Sequence, residues 1–377
     1  MRKFILFLLI FFVVTSVSAE GFKNTGLKIE SFEPVVINGV KQWLLIRGND
    51  LSRPVLLYLH GGPGESLIPF AHAATGELVK KWIVIYWEQR GTGMSYNQNI
   101  PLKTMNINQF VDDAKKVTDY LKNRFHKEKI YLLGHSWGSV LGILTVRKYP
   151  GDYYAYIGVG QVINQPLLHR GRLDWVKEQI LKYGTPAEKS NLQKMALQKT
   201  VGIEWIRKYG GVVHNISPYD MYQIMRNSPY YPEKYTDELY SKGVAISGNL
   251  FKEAWKIDFL KQAPELRTPI YFFLGRYDYT TPTKPVEEYF HILKAPYKEI
   301  IWFEKSAHRM DIEEPEKFQN AIMKIAESLI IFPREQSSSR RKWVTRHVAF
   351  GGDPNGRYLN LKEEQKKTVQ KWTVLLF

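Results

Sequence analysis

The stretch Ile130 to Gly142, IYLLGHSWGSVLG, constrains this chain more than any other. Its opening residues, Ile130 to Leu133, suit a strand buried on both faces of a sheet. They run into Gly134-His135-Ser136-Trp137-Gly138, a G-x-S-x-G pattern. Val140, Leu141, Ile143 and Leu144, then Arg147 and Lys148, continue as a helix up to Tyr149-Pro150. A strand that turns at once into a helix, with serine at the corner, strains the serine backbone and pushes its Oγ into the open. Glycines two residues to either side keep strand and helix from colliding. The expected architecture is α/β, with Ser136 as a nucleophile at a strand end.

Other strands follow the same logic. Leu27 to Val36 and Val40 to Ile46 read as early strands joined by a turn at Asn38-Gly39. Val55 to Leu59, Trp82 to Trp87, Tyr154 to Val159, Ile270 to Leu274 and Glu299 to Phe303 read as further ones. Between them, Asn106 caps a helix with Phe110, Val111, Ala114, Val117 and Leu121 at helical spacing. Pro285 to Leu293 and Pro315 to about Ile331 read as later helices. This alternation predicts a mostly parallel sheet covered by helices on both faces, built from residues 20–163 and 263–333. Residues 164–262 break the rhythm with helices, loops and many aromatics, among them Tyr219, Tyr222, Tyr230, Tyr231, Tyr235, Tyr240 and Trp255. They read as an inserted cap over the carboxyl ends of the strands.

Charge and composition exclude other classes. The chain has no cysteine, so no thiolate nucleophile, disulfide or sulfur-ligated metal. No H-E-x-x-H occurs, and Gly158-Val159-Gly160 lacks the third glycine of a dinucleotide fingerprint, with Ile163 in its place. The reading therefore has no cofactor and no metal. A formal charge of +16 invites a nucleic-acid reading, but its distribution argues against one. Residues 334–377 hold ten Lys/Arg against four Asp/Glu, and Arg2-Lys3 adds two more positive charges. The 334–377 segment reads as a basic tail. At the other end Arg2-Lys3, the apolar run Phe4 to Val14 and Val17-Ser18-Ala19 before Glu20 form a signal-peptide pattern over residues 1–19. Eleven apolar residues are few for a membrane span, which needs about twenty. Export without a stable membrane anchor is the expectation.

A serine hydroxyl needs a base, and the base needs an orienting acid. Of nine histidines, His308 falls between the last strand and the last helix. Asp278, in Gly275-Arg276-Tyr277-Asp278, follows the preceding strand in the matching way. Chain order Ser136, Asp278, His308 places all three at one sheet edge. Two N–H donors must hold the oxyanion. Trp137 supplies one from the turn itself, and Gly62, in His60-Gly61-Gly62-Pro63-Gly64, supplies the other. His60 and His135 read as scaffold residues.

The motifs LHGGPG, EQRGTGMS, GHSWGS, GRYDYTTP and SAH, in this order, resemble the prolyl-iminopeptidase-like branch of the α/β-hydrolase superfamily over residues 24–333. The resemblance implies serine hydrolysis of a small amide or ester through an acyl-enzyme, with no cofactor and a helical cap setting specificity. Its most specific version is an aminopeptidase acting on small molecules or short peptides. A carboxylesterase and a catalytically inactive binding protein are the alternatives. Glu88 stands where that family carries Asp before Gln-Arg-Gly, a change expected to alter a structural salt bridge. The cap glutamates that hold the substrate ammonium in the family are not legible; Glu204, in Gly202-Ile203-Glu204-Trp205, is the nearest candidate.

Overall fold

A computed structural model describes residues 25–192, 201–230, 237–331 and 344–347. The signal-peptide reading lies outside the described residues, as do Tyr231, Tyr235 and Glu233 of the cap. Eight strands form where the apolar runs predict them: β1 (Ile29–Ile37), β2 (Val40–Gly48), β3 (Val55–Leu59), β4 (Ile83–Glu88), β5 (Ile130–His135), β6 (Tyr153–Val159), β7 (Ile270–Gly275) and β8 (Tyr297–Phe303). A ninth, β9 (Val344–His347), lies within the segment read as a tail. The sheet order is β1-β2-β4-β3-β5-β6-β7-β8-β9. β1 and β2 are antiparallel, and every pair from β3–β4 onward is parallel.

Among the described residues, the helices of six or more residues are α1 (Ile107–Arg124), α2 (Trp137–Lys148), α3 (Gln165–Tyr183), α4 (Ile203–Lys208), α5 (Pro218–Arg226), α6 (Asp237–Ile246), α7 (Gly248–Ala254), α8 (Lys284–Ile292) and α9 (Pro315–Ile331). Period-two alternation divides the sheet between two cores. Val55, Leu57 and Leu59 of β3 join the apolar faces of α1, α2 and α8. Leu56 and Tyr58 face the other way, onto Ile68 to Val79 and α9. With both faces covered, the sheet is buried as a parallel sheet must be. This is the α/β-hydrolase fold. No helix of the described residues is long and apolar enough to cross a membrane.

α3 to α7 form the insertion. Its entry and exit meet: Asn164 and Asp258 form an antiparallel bridge, and Phe259 N donates to Ile163 O at 2.9 Å. Trp175, Val176 and Ile180 of α3 pack with Ile206 of α4 and with Tyr209 and Val212 into a small core of their own. Part of the aromatic content ties the insertion to the sheet: the Tyr230 hydroxyl accepts from Arg47 Nε of β2 at 2.8 Å and is itself buried.

β9 pairs with Tyr297 to Ile300, the beginning of β8, while the His308 loop leaves the other end of that strand. Removing residues 334–377 is therefore expected to preserve turnover. It should lower the melting temperature by no more than about 4 °C, since a short edge strand gives up few net hydrogen bonds. A larger fall in thermal denaturation would mean that the segment carries part of the fold's stability.

Candidate active site

Ser136 sits between β5 and α2 with φ 54° and ψ −119°, a strained conformation for a residue with a Cβ. The turn that imposes it is possible only because its flanking glycines are bare. A Cβ on Gly138 would meet Leu59 O at 2.2 Å, and one on Gly134 would meet Gly138 O at 2.3 Å. Ser136 N donates to Val159 O at 3.0 Å, and Ser139 Oγ donates to Ser136 O at 2.5 Å, so the corner is held from two sides.

Asp278 and His308 stand after β7 and β8, at the same carboxyl edge as Ser136. The His308 Nδ1–H donates to Asp278 Oδ2 at 2.9 Å, and both side chains are buried. Asp278 also accepts from Thr281 N at 2.7 Å and Thr281 Oγ1 at 2.7 Å, which fixes the carboxylate plane. With Nδ1 engaged, Nε2 is the nitrogen that remains to serve Ser136. Ser136 and His308 line one cavity of about 210 Å³ together with Gly61, Gly62, Glu65 and Tyr240. Trp137 is the first residue of α2, where an N–H has no intrahelical acceptor. Its indole Nε1 is spent on Gln89 Oε1 at 3.1 Å, so its backbone N–H is what it can offer an oxyanion. The structure thus brings Ser136, Asp278, His308, Gly62 and Trp137 to one place.

Gly160 lies under the imidazole. At φ +53° it would strain any side chain, and a Cβ there would meet His308 Cε1 at 2.6 Å and Nδ1 at 2.8 Å. Gly160→Ala is expected to lower kcat by about tenfold or more, because a displacement near 1 Å at a catalytic base costs that much or more. Steady-state kinetics on any turned-over substrate would check it; a variant with wild-type kcat would show that the ring tolerates the shift.

Two scaffold histidines match their expected roles. His60 Nε2 accepts from Gln89 N at 3.1 Å, and burial lowers its pKa to about 4. His135 packs its ring 4.6 Å from that of His308, and burial, then the neighbouring His308, lowers its pKa to about 3. Glu88 is held by uncharged donors rather than by a salt bridge. Its Oε2 accepts from Met94 N at 2.7 Å, so it holds the tight turn at Gly93 to Ser95, and burial raises its pKa to about 8. The ion pair of that region is Arg90 with Asp113, at 2.8 Å.

Glu204 is exposed, with its carboxylate turned back over Gly202 at the start of α4, and it does not line the cavity. The acid that does is Glu65, directly after the Gly61–Gly64 loop. A search of the sequence confined to the acids of the cap misses it; an acidic residue abutting the glycine loop was the available signal. Burial raises the Glu65 pKa to about 7, against the nearby Tyr240 hydroxyl and the Arg309 and Arg207 guanidinia. Arg309 is itself paired with Asp311, Nε to Oδ1 at 2.9 Å and Nη2 to Oδ2 at 3.0 Å. Among the described residues no group of three or more His, Asp or Glu is placed to hold a metal ion.

The cap is stitched to the loops that carry the acid and the base. Gly211 O accepts from Tyr279 N and Thr280 N, each at 3.1 Å, and Val212 O accepts from His308 N at 3.0 Å. Glu313 accepts from His214 N and Asn215 N of the cap at 2.5 and 2.6 Å, and from Ala307 N at 2.8 Å. Burial raises its pKa to about 7 despite these donors.

These shifts give stability a definite pH dependence. Glu65, Glu88 and Glu313 have folded pKa values above the ordinary 4.5, so the native state holds protons that the unfolded chain releases. Their contribution falls as pH rises from 4.5 toward 7 to 8. His60 and His135 lie below the ordinary 6.5, so their contribution is complete above that pH and is lost as pH falls toward 3 to 4. Between pH 6.5 and 8 these carboxyls act without opposition from the two imidazoles, and the melting temperature is expected to decline. A melting temperature that climbs across that window would contradict the assignment.

Comparison with known proteins agrees with this geometry. The family model described as serine aminopeptidase, S33 matches residues 52–315. A Bacillus subtilis (strain 168) protein named as a probable aminopeptidase, YbaC, is 32% identical over 305 residues, covering 77% of this chain and 94% of its own. The proline iminopeptidase of Heyndrickxia coagulans is 25% identical over 287 residues, covering 72% of this chain and 89% of its own. The solved structure of a proline iminopeptidase-related protein from Thermus thermophilus superposes with a TM-score of 0.58 at 21% identity, covering 80% of this chain and 99% of its own. From the matched span and the curated relative, the chain belongs to the serine aminopeptidase family S33, on an α/β-hydrolase fold.

Proposed function

We propose that this protein is an exported serine aminopeptidase that removes N-terminal residues, proline among them, from small amides or short peptides. The observation that carries the reading is the buried His308–Asp278 pair opening with the strained Ser136 into a single cavity. In this mechanism Ser136 Oγ attacks the scissile carbonyl carbon as its proton passes to His308 Nε2. Asp278 holds Nδ1–H and stabilises the imidazolium. The Gly62 and Trp137 N–H groups receive the oxyanion, helped by the positive end of α2. Collapse of the intermediate breaks the C–N bond, and the imidazolium gives its proton to the departing amine. Water, deprotonated by the same imidazole, then hydrolyses the acyl-enzyme and frees Ser136.

The names of the relatives support the aminopeptidase version over an ester-specific one. A panel of chromogenic aminoacyl amides, their N-acetylated forms and short-chain esters tests it. Free-amine substrates should be preferred, and equal hydrolysis of free and N-acetylated amides would end the aminopeptidase reading. A fluorophosphonate that leaves Ser136 unlabelled would end the enzyme reading altogether. Export rests on the Arg2 to Ala19 pattern. Mass spectrometry of protein from its native host should find a mature N-terminus near Glu20, whereas an intact Met1 would refute export by cleavage.

A further inference from the structure

We propose that Arg172 receives the free α-carboxylate of a dipeptide substrate, on the leaving-group side of the scissile bond; the proposal deepens the aminopeptidase reading and rests on it. Arg172 stands on α3 and lines the cavity together with Ser136 and His308. Its Nε donates to Thr280 O at 2.7 Å, and its Nη2 donates to the same oxygen. One edge of the guanidinium is thus spent on a single carbonyl. The end fork, Nη1 with the second hydrogen of Nη2, has no partner among the described residues.

A cation drawn out of water is ordinarily paired with an anion. Burial lowers the Arg172 pKa to about 10, which leaves it charged at neutral pH. The acid whose charge reaches it is Asp278, and that carboxylate already accepts from His308 Nδ1, Thr281 N and Thr281 Oγ1. The acids of α3 bring no relief: Asp174 is exposed and set against Lys177, and Glu178 is exposed. The other arginine lining the cavity, Arg309, has Asp311 as its own carboxylate. Nor does holding the Asp278 loop require this charge. A Cβ on Gly171 would lie 3.2 Å from the Pro282 ring, and Trp175 stacks on Tyr279 with ring centroids 4.0 Å apart, so α3 is seated on that loop on either side of Arg172.

The position suits the leaving group. The departing amine takes its proton from His308, so whatever follows the scissile bond lies on the His308 side of the cavity. Thr281 Oγ1 is 3.2 Å from His308 Nδ1, and Thr280, which Arg172 grips, is the residue before it. In a dipeptide the carboxylate carbon is three bonds from the scissile carbonyl carbon, within about 4 Å. A cation adjoining the base is the group such a carboxylate meets, and the end fork of an arginine matches its two oxygens. A longer peptide carries its carboxylate past that point.

The test compares kcat/KM for alanyl-alanine with that for alanyl-alaninamide. In the full chain the free acid is expected to lead by about 10- to 100-fold, the range of hydrogen bonds between charged groups. The difference should sit mainly in KM, because the carboxylate is held alike before and during bond cleavage. Arg172→Gln, whose amide can still donate to Thr280 O, should bring the ratio close to one, and Arg172→Lys should keep part of it. Alanine p-nitroanilide, which carries no carboxylate, should lose far less than alanyl-alanine in the same variant. An equal fall in kcat for all three substrates makes Arg172 a support of the Asp278 loop and overturns the proposal. A wild-type ratio near one, or a ratio unchanged in Arg172→Gln, also overturns it; the aminopeptidase reading survives if free alanine p-nitroanilide is still preferred over its N-acetylated form. A wild type indifferent to N-acetylation ends both. One arm needs no change at Arg172. In Ser136→Ala, phenylglyoxal labelling of Arg172, read by mass spectrometry, should be slowed by alanyl-alanine and not by alanyl-alaninamide. Equal protection by the two would refute the assignment even if neither Arg172 variant folded.

Discussion

Ser136→Ala is expected to lose at least about a thousandfold in kcat, whatever substrate is used, because no other group at the corner can form the acyl bond. The fold should be untouched. The Ser136 bonds that hold the turn are made by its backbone N and O, and alanine keeps both. The pair of measurements is turnover and melting temperature on the same preparation. Residual activity above that level would point to a different nucleophile. Ser136→Gly extends the argument. Glycine accepts φ 54° without its Cβ penalty, so that variant should be inactive yet more stable than wild type by about 1 kcal/mol. A glycine variant less stable than wild type would mean that the corner stores no strain.

Asp113→Ala is expected to be the most destabilising single change away from the nucleophile. The Asp113 carboxylate is fully buried and accepts from Arg90 Nε at 2.8 Å and Nη2 at 3.0 Å. It also accepts from Asn38 Nδ2 at 2.7 Å, Gln42 Nε2 at 2.9 Å and Gln109 Nε2 at 2.9 Å. Alanine would strand the buried Arg90 guanidinium and the buried Gln42 amide and remove an acceptor from the more exposed Asn38 and Gln109, at a cost of about 3–5 kcal/mol. Urea unfolding should show it as a lower midpoint with an unaltered slope. The double change Arg90→Met with Asp113→Leu should recover much of the loss, because no charge is then stranded. A single variant that costs less than about 1 kcal/mol would mean that water reaches the site and solvates Arg90.

Arg90 and Asp113 also show where the sequence stopped being readable. Arg90 stands in EQRGTGMS, a stretch conspicuous in the sequence, but its partner is one of three aspartates in α1. Only the fold brings that turn of α1 under β2 and the Arg90 loop. Strands β3 to β7 were legible because a strand covered on both faces must be apolar along nearly its whole length, as VLLYL is. Ser136, Asp278 and His308 were legible because each position followed from a strand end already located. The cap was harder. Apart from α3 its helices run ten residues or fewer and their burial is shared with loops, so periodicity marks the insertion without assigning its acids. Glu204 illustrates the result: it is an exposed glutamate at a helix start, chemically identical on paper to one that binds substrate. β9 was missed for a related reason, since four residues in a polar basic surround carry too little pattern to declare a strand.

The bonds from Gly211, Val212, His214 and Asn215 to the acid and base loops bear on how this scaffold can be altered. Insertions in enzymes are commonly treated as exchangeable parts, swapped between scaffolds to transplant a preference. Here the insertion is also masonry for the catalytic floor. A chimera cut at the bridge between Asn164 and Asp258 would carry away the carbonyls that hold Tyr279, Thr280 and His308. Grafts that retain the strip from Gly211 to Asn215 and replace only what lies around α6 and α7 would keep the floor while changing the roof. In this protein, altered preference and retained chemistry are compatible only along that narrower seam.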